Sequence, residues 1–222
     1  MRFGSDMRDL GQPKVLKMAV LAALGSALAC FPRLILWPAA RYPLWYYETL
    51  MFLGGTVLWA FVFAWSEKYS KRPVFAWRVP RWEFLLVSAA GVIAAAAEHL
   101  RVDPILKLHI PEDFPASAQQ WAAMVLFSLA FTTLFLVFAP FAWLVRLFRN
   151  VSVAALLTVV FGVFVFWVKN ENASAPLEPN LLRYLLSARL ISGAISMWLY
   201  LRGGVLLVWW WELLLQSRLL LG

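Results

Sequence analysis

Apolar residues in this chain come in long unbroken blocks, not in the alternating pattern of a half-buried strand or the one-sided stripe of a surface helix. Blocks of about 17–25 residues recur along its whole length, enough for a helix to cross roughly 30 Å of hydrocarbon at 1.5 Å per residue. The pattern predicts an all-α fold, a polytopic transmembrane helix bundle of six to seven spans. A polar tail, residues 1–13, precedes a single helical domain over residues 14–222.

The spans follow from where the blocks stop. The first covers about Val15–Leu36 and leaves through Pro32, Trp37 and Pro38; no small-residue cleavage site follows it, so it reads as a retained span. The second, Leu44–Trp65, has aromatic residues at both ends, Trp45, Tyr46 and Tyr47 on one side and Trp65 and Tyr69 on the other, the headgroup-level belt of a membrane helix. The third, Glu83–His99, contains the small-residue run Ala94–Ala97, where a neighbouring helix can approach closely. The fourth, Trp121–Val145, carries Pro140, which predicts a kink or break near Ala139. The fifth is Val151–Val168 and the sixth Leu185–Tyr200. A last block beginning at Val205 is short, and either runs on through Leu221 as a seventh span or forms a re-entrant segment.

Composition sharpens the class. The 222 residues are 63% hydrophobic and 14% charged, against about 45–50% and about 25% in soluble domains, so the apolar surface exceeds what one water-soluble core can hide. The formal charge of +8 resides in the connections between spans, where headgroups and orientation signals account for it, and nucleic-acid binding is not expected. Lys68, Lys71, Arg72, Arg78 and Arg81 make the connection after span two the most basic one. With the amino terminus in the cytoplasm, roughly 12 of the basic residues fall inside, which favours that orientation, in a bacterial inner (plasma) membrane. Membrane lipids are the expected surroundings, and another membrane protein or a peptide is the expected partner class. Cys30 is the one cysteine, so no internal disulfide can form, and no Cys/His spacing suits zinc. No metal or cofactor is expected, and pigment binding is not favoured because His99 and His109, the two histidines, lie away from the middle of any span.

Ionisable groups inside spans cost about 2.5–3.5 kcal/mol each at the bilayer centre, so each needs an explanation. Glu98 and His99 close span three beside Arg101; they form a candidate proton relay or general base, or simply mark the headgroup end of that helix. Glu48 opens span two and reads as interfacial. Arg146 and Arg149 read as the positive cap of span four. Arg189 shares span six with Ser187, Ser192, Gly193 and Ser196, a small polar face suited to helix packing. Glu212 and Gln216, four residues apart, lie on one face of the most tryptophan-rich stretch. A carboxylate there calls for a partner, which Arg146, Arg189 or Arg202 could supply as a structural ion pair or as part of a binding site. The glycosylation-type triplets at Asn150 and Asn172 are short enough to arise by chance.

The carboxy-terminal part, about Phe131–Leu221, resembles the CPBP family of intramembrane proteases, named for CAAX-prenyl proteases and bacteriocin-processing enzymes. That family shows Pro before an E-E-x-x-x-R helix, then F-x-x-x-H, then a Gly-rich turn and H-x-x-x-N. Here Pro140 precedes Phe141, Ala142 and Arg146; Phe161 and Val165 take the second motif; Arg202-Gly203-Gly204 take the turn, and Glu212 and Gln216 the last pair. The resemblance implies an α-helical fold around an intramembrane cavity, in which a glutamate base and histidines activate water. Both motif glutamates and both histidines are replaced here, so it implies a non-catalytic binding or scaffolding component, with Arg146, Glu212 and Gln216 lining the cavity. An active protease rebuilt from Glu98, His99 and Glu212 is the alternative, and would need two carboxylates flanking one water. A small-solute transporter subunit is a third reading, prompted by the Pro140 break and the short last segment.

Overall fold

The computed structural model describes residues 8–36, 42–76, 79–111, 114–172 and 176–220. The residues before Arg8, the Trp37-Pro38 exit, Arg78, and Ala173 and Ser174 of the second glycosylation-type triplet lie outside them.

Six helices are long and apolar enough to cross a membrane: α1 Pro13–Leu36, α2 Leu44–Ser70, α3 Arg81–Arg101, α5 Ala118–Phe148, α6 Val151–Glu171 and α7 Pro179–Leu220. A short α4, Asp103–His109, follows α3. The protein is thus an integral membrane helical bundle. Its large apolar side chains point outward as well as inward: Leu28, Leu53, Leu85, Ile93, Leu156 and Ile191 are all exposed on the bundle surface, as residues facing lipid should be.

Small side chains bring α1 and α2 together. Ala19, Ala23 and Ala27 are buried in α1, and a Cβ on Gly55 would sit 3.5 Å from that of Ala23. Trp59 of α2 then donates its indole N–H to the Ser26 hydroxyl of α1 at 3.0 Å. Three more indoles do the same elsewhere. Trp210 donates to Ser88, Trp209 to Thr133, and Trp121 to the carbonyl of Gln216, at 2.9, 3.3 and 2.8 Å. Tryptophan, a residue type with a preference for headgroup level, therefore also ties helices together inside the bundle, where an unmet N–H has no water to turn to.

The predicted break at Pro140 does not occur. Ala139 keeps helical dihedrals of −71° and −44°, and the proline begins a regular segment, Ala139–Phe148. Ahead of it the helix widens into two π-helical stretches, Ser128–Thr132 and Leu134–Phe138. Proline lacks an N–H to donate, and just ahead of it the helix bonds in a π register: the Thr133 amide donates to the Ser128 carbonyl and the Ala139 amide to that of Leu134. Asn150, in the first glycosylation-type triplet, caps α6: its side-chain oxygen accepts from the amides of Ser152 and Val153.

The last two predicted spans form one element that doubles back. Gly204 has φ 63° and ψ −156°, a conformation open to glycine alone. Ser196 and Glu212, eight residues on either side of it, meet side chain to side chain, so residues 179–202 and 205–220 are antiparallel legs of a hairpin. The returning leg runs parallel to α3: Trp210 stacks on Phe84, Leu214 covers Gly91 and Arg218 meets Glu98, while Arg202, at the end of the first leg, meets Glu83. The returning leg thus runs from the Gly204 turn alongside α3 to the level of Glu98.

The extended segment around Phe75 fills the break. The amide of Val205 donates to the carbonyl of Val74 at 2.9 Å, and Phe75 pairs with Gly204 in an isolated antiparallel bridge. A Cβ on Gly204 would lie 2.3 Å from the Val74 oxygen. The Arg72 guanidinium donates to the carbonyl of Leu201 at 2.7 Å, and Phe75 stacks on Trp59 and Phe63. We call this end of the bundle, with Asp9, Lys68, Arg149 and Gly204, the near face. The opposite end, with Asp103, Ala118 and Arg218, is the far face.

Candidate functional site

Residues from α1, α5, α6 and both legs of α7 enclose a cavity of about 310 Å³. Each wall has a sequence reason. The face of Ser192, Gly193 and Ser196 on the first leg is too small to fill the space against α6. On α6, Gly162 leaves a gap where a Cβ would touch nothing within 4 Å. The π-helical stretch of α5 contributes Ser128 and Thr132. The returning leg brings Glu212 and Gln216, one turn apart on the same face, and Arg33 from the last turn of α1 stands at the rim.

The charged groups facing one another across this space are Arg189 and Glu212. They interact electrostatically, with Ser196 hydrogen-bonded to the carboxyl, but do not close into an ion pair among the described residues. Arg189 is therefore the cation placed opposite Glu212. Of the other two candidates, Arg202 pairs with Glu83 at 2.8 Å, and Arg146 lies elsewhere.

Arg146 does not line the cavity. It is buried, 7% exposed, near the near face, with its guanidinium 4.3 Å from the centre of the Trp65 ring. The binding set of Arg146, Glu212 and Gln216 is thus divided by the fold. Phe141 and Ala142 are fully buried, with Phe141 packed edge-on against Tyr200. Phe161 lines a separate apolar groove beside Pro140 and Trp143. Of the positions that carry the CPBP resemblance, Glu212 and Gln216 line the polar cavity; Arg146 and Phe161 lie outside it.

Glu98 and His99 belong to a neighbouring cluster on the far face. Arg218 bonds Glu98 at 3.0 Å and Asp103 at 3.1 Å, and also donates to the Leu215 carbonyl. His99 lies 3.7 Å from the other oxygen of Asp103. Glu98 is near enough to Glu212 and Arg189 for their charges to interact, but neither Glu98 nor His99 lines the cavity. Among the described residues, no group of three or more His, Cys, Asp or Glu could hold a metal ion.

Sequence reasoning missed Asp103 and Arg218. Asp103 lies in the polar stretch after span three, yet its side chain is 3% exposed; Arg218 falls within the last predicted block, where no role is read for it. Arg218, two residues past Gln216 and six past Glu212, falls off their helix face, so helical spacing gives no signal for it. Comparison with family models, curated proteins and solved structures returned no match to the chain.

Proposed function

We propose that the protein is a non-catalytic binding or scaffolding component of the membrane, a CPBP-like bundle without hydrolytic chemistry, whose cavity beside Glu212 holds a polar group of its ligand or partner. One observation carries this reading: Glu212 is the sole carboxylate among the described residues lining the cavity, and it faces a guanidinium and a hydroxyl, with no histidine or cysteine beside it. Hydrolysis through activated water calls for a base and a second proton-handling group within reach of the same reacting atoms. The groups that could serve as partners, Glu98 and His99, are engaged by Arg218 and Asp103.

The Gly204 break, the feature closest to a transporter's interrupted helix, has its Val205 amide taken by Val74, whereas transport sites leave such backbone groups to the substrate. The basic residues Lys68, Lys71, Arg72 and Arg149 gather on the near face, which favours a cytoplasmic near face and amino terminus.

The test is a pair of measurements on the full chain in bilayers. Gly162→Phe fills the cavity where the fold leaves space, and is expected to lose co-purifying small molecules or peptide that mass spectrometry detects with the wild-type protein. Incubation with membrane-embedded reporter peptides is expected to give no cleavage. Cleavage that disappears in Glu212→Gln would overturn the reading in favour of a rebuilt protease.

A further inference from the structure

Among the described residues there are closed ion pairs and an open pair of charges. Arg202 and Glu83 meet at 2.8 Å, and Arg218 and Glu98 at 3.0 Å; each joins α7 to α3 and leaves little for a ligand. Arg189 and Glu212 stand on the two antiparallel legs of one hairpin, interact across space, and do not close on each other among the described residues. The cavity between them has room for about ten waters at roughly 30 Å³ each. Holding two opposite charges apart in a membrane bundle costs free energy unless something polar lies between them.

We propose that this cavity recognises a zwitterionic headgroup, its anionic phosphate held by Arg189 and its primary ammonium by Glu212, the chemistry of an ethanolamine phospholipid. The inference rests on the non-catalytic binding reading above and names the ligand class for that site. A purely anionic group drawn in toward Arg189 meets the Glu212 carboxylate, and a purely cationic one meets Arg189 with Arg33 at the rim. A group carrying both charges satisfies both walls at once. Ser192 and Thr132 add hydroxyls for phosphate oxygens, while Phe127, Leu136 and Val159 supply an apolar side on which the rest of a lipid can lie. A primary ammonium can donate hydrogen bonds to Glu212 and Ser196; a trimethylated one cannot.

The experiment is native mass spectrometry of the full chain released from micelles, titrated with phosphatidylethanolamine, phosphatidylcholine and phosphatidylglycerol of matched acyl chains. Phosphatidylethanolamine is expected to bind at least about tenfold more tightly than the other two, the difference that one added charge-assisted contact of about 1.4 kcal/mol produces. Glu212→Gln, nearly isosteric, is expected to bring ethanolamine and glycerol lipids within about twofold of each other, and Arg189→Met to weaken both. Equal binding of the three lipids by the wild-type protein, or an ethanolamine preference that Glu212→Gln leaves intact, overturns the proposal. Competition with free phosphoethanolamine locates the source within the supported case: displacement assigns the site to the zwitterion itself, and resistance assigns it to the lipid-borne headgroup. The wild-type titration needs no variant, so a folding defect in either substitution does not remove the test. If the headgroup preference is absent while Gly162→Phe still releases a co-purified ligand, only the ligand class is wrong. If Gly162→Phe releases nothing, the binding reading falls, and this inference with it.

Discussion

Pro140 and Gly204 both lie inside membrane-crossing elements, and the fold treats them in opposite ways. Pro140 removes one hydrogen bond, and α5 absorbs the loss by widening into π turns, so the helix continues from Ala118 to Phe148. Gly204 leaves the helical region altogether, and the chain reverses. The difference lies in what satisfies the freed backbone groups. Within α5 the backbone shifts register ahead of the proline, with the Ala139 amide donating to the Leu134 carbonyl, so partners are found inside the same helix. At Gly204 the amide of Val205 finds an acceptor only because Val74 has been brought there from the other side of α3 in sequence. In a membrane, where water cannot supply the missing partner, a break is possible only where the rest of the protein provides one.

Four substitutions bear on that contrast, in falling order of effect. Gly204→Val should be the most damaging, since it adds a β-branched side chain at a positive φ and against the Val74 oxygen; loss of about 3 kcal/mol or more is expected, read as failure to recover folded protein or as a large drop in melting temperature in detergent. Arg218→Met, which frees the far end of the returning leg and leaves the buried Asp103 without its cation, should cost about 2–4 kcal/mol in the same assay. Pro140→Ala should change stability by less than about 1 kcal/mol, because α5 already runs on helically with the proline in place; a destabilisation as large as that of Gly204→Val would show that the proline, and not the register, sets the path of α5. Arg202→Met removes a pair whose arginine is nearly half exposed, so no more than about 0.5 kcal/mol is expected after solvent screening, measurable only as a small shift in the melting curve.

The sequence exposes the parts of this fold that depend on bulk hydrophobicity. Every helix core from Val15 to Tyr200 is visible as an apolar block, because crossing hydrocarbon demands one. The ends are less visible: α2 continues through Ser70 and α5 starts at Ala118, since polar residues at headgroup level stay helical while a backbone partner is at hand. The hairpin is half legible. Arg202-Gly203-Gly204 marks a turn and the short block after it marks a separate leg, but nothing local says that Val74 will complete the turn.

The site is legible by residue type more than by grouping. Glu212 and Gln216 stand out because they are polar in an apolar stretch, and helical spacing places them together. Their partner is one of three arginines, and only the antiparallel fold of α7 selects Arg189. Arg146 stands out on the same grounds but is used against Trp65, a contact about 80 residues distant in sequence that periodicity cannot reveal. Tryptophan is the most misleading residue type here: its preference for interfaces hides the indoles of Trp59, Trp209 and Trp210, which serve as hydrogen-bond donors between helices.

The returning leg of α7 also bears on how the chain is assembled. Beyond the short α4, α3 packs chiefly on that leg, and the contacts that hold it run from Phe84 at one end to Glu98 at the other. During synthesis α3 emerges more than a hundred residues before the segment that secures it, so for most of translation it is a helix in lipid without its main neighbour. Synthesis of residues 205–220 decides whether α3 is captured, which makes that leg a checkpoint for the bundle. A chain released before Val205 would retain every earlier helix and still expose the α3 face around Gly91, the kind of unfinished surface by which a membrane quality-control protease distinguishes an incomplete product from a finished one.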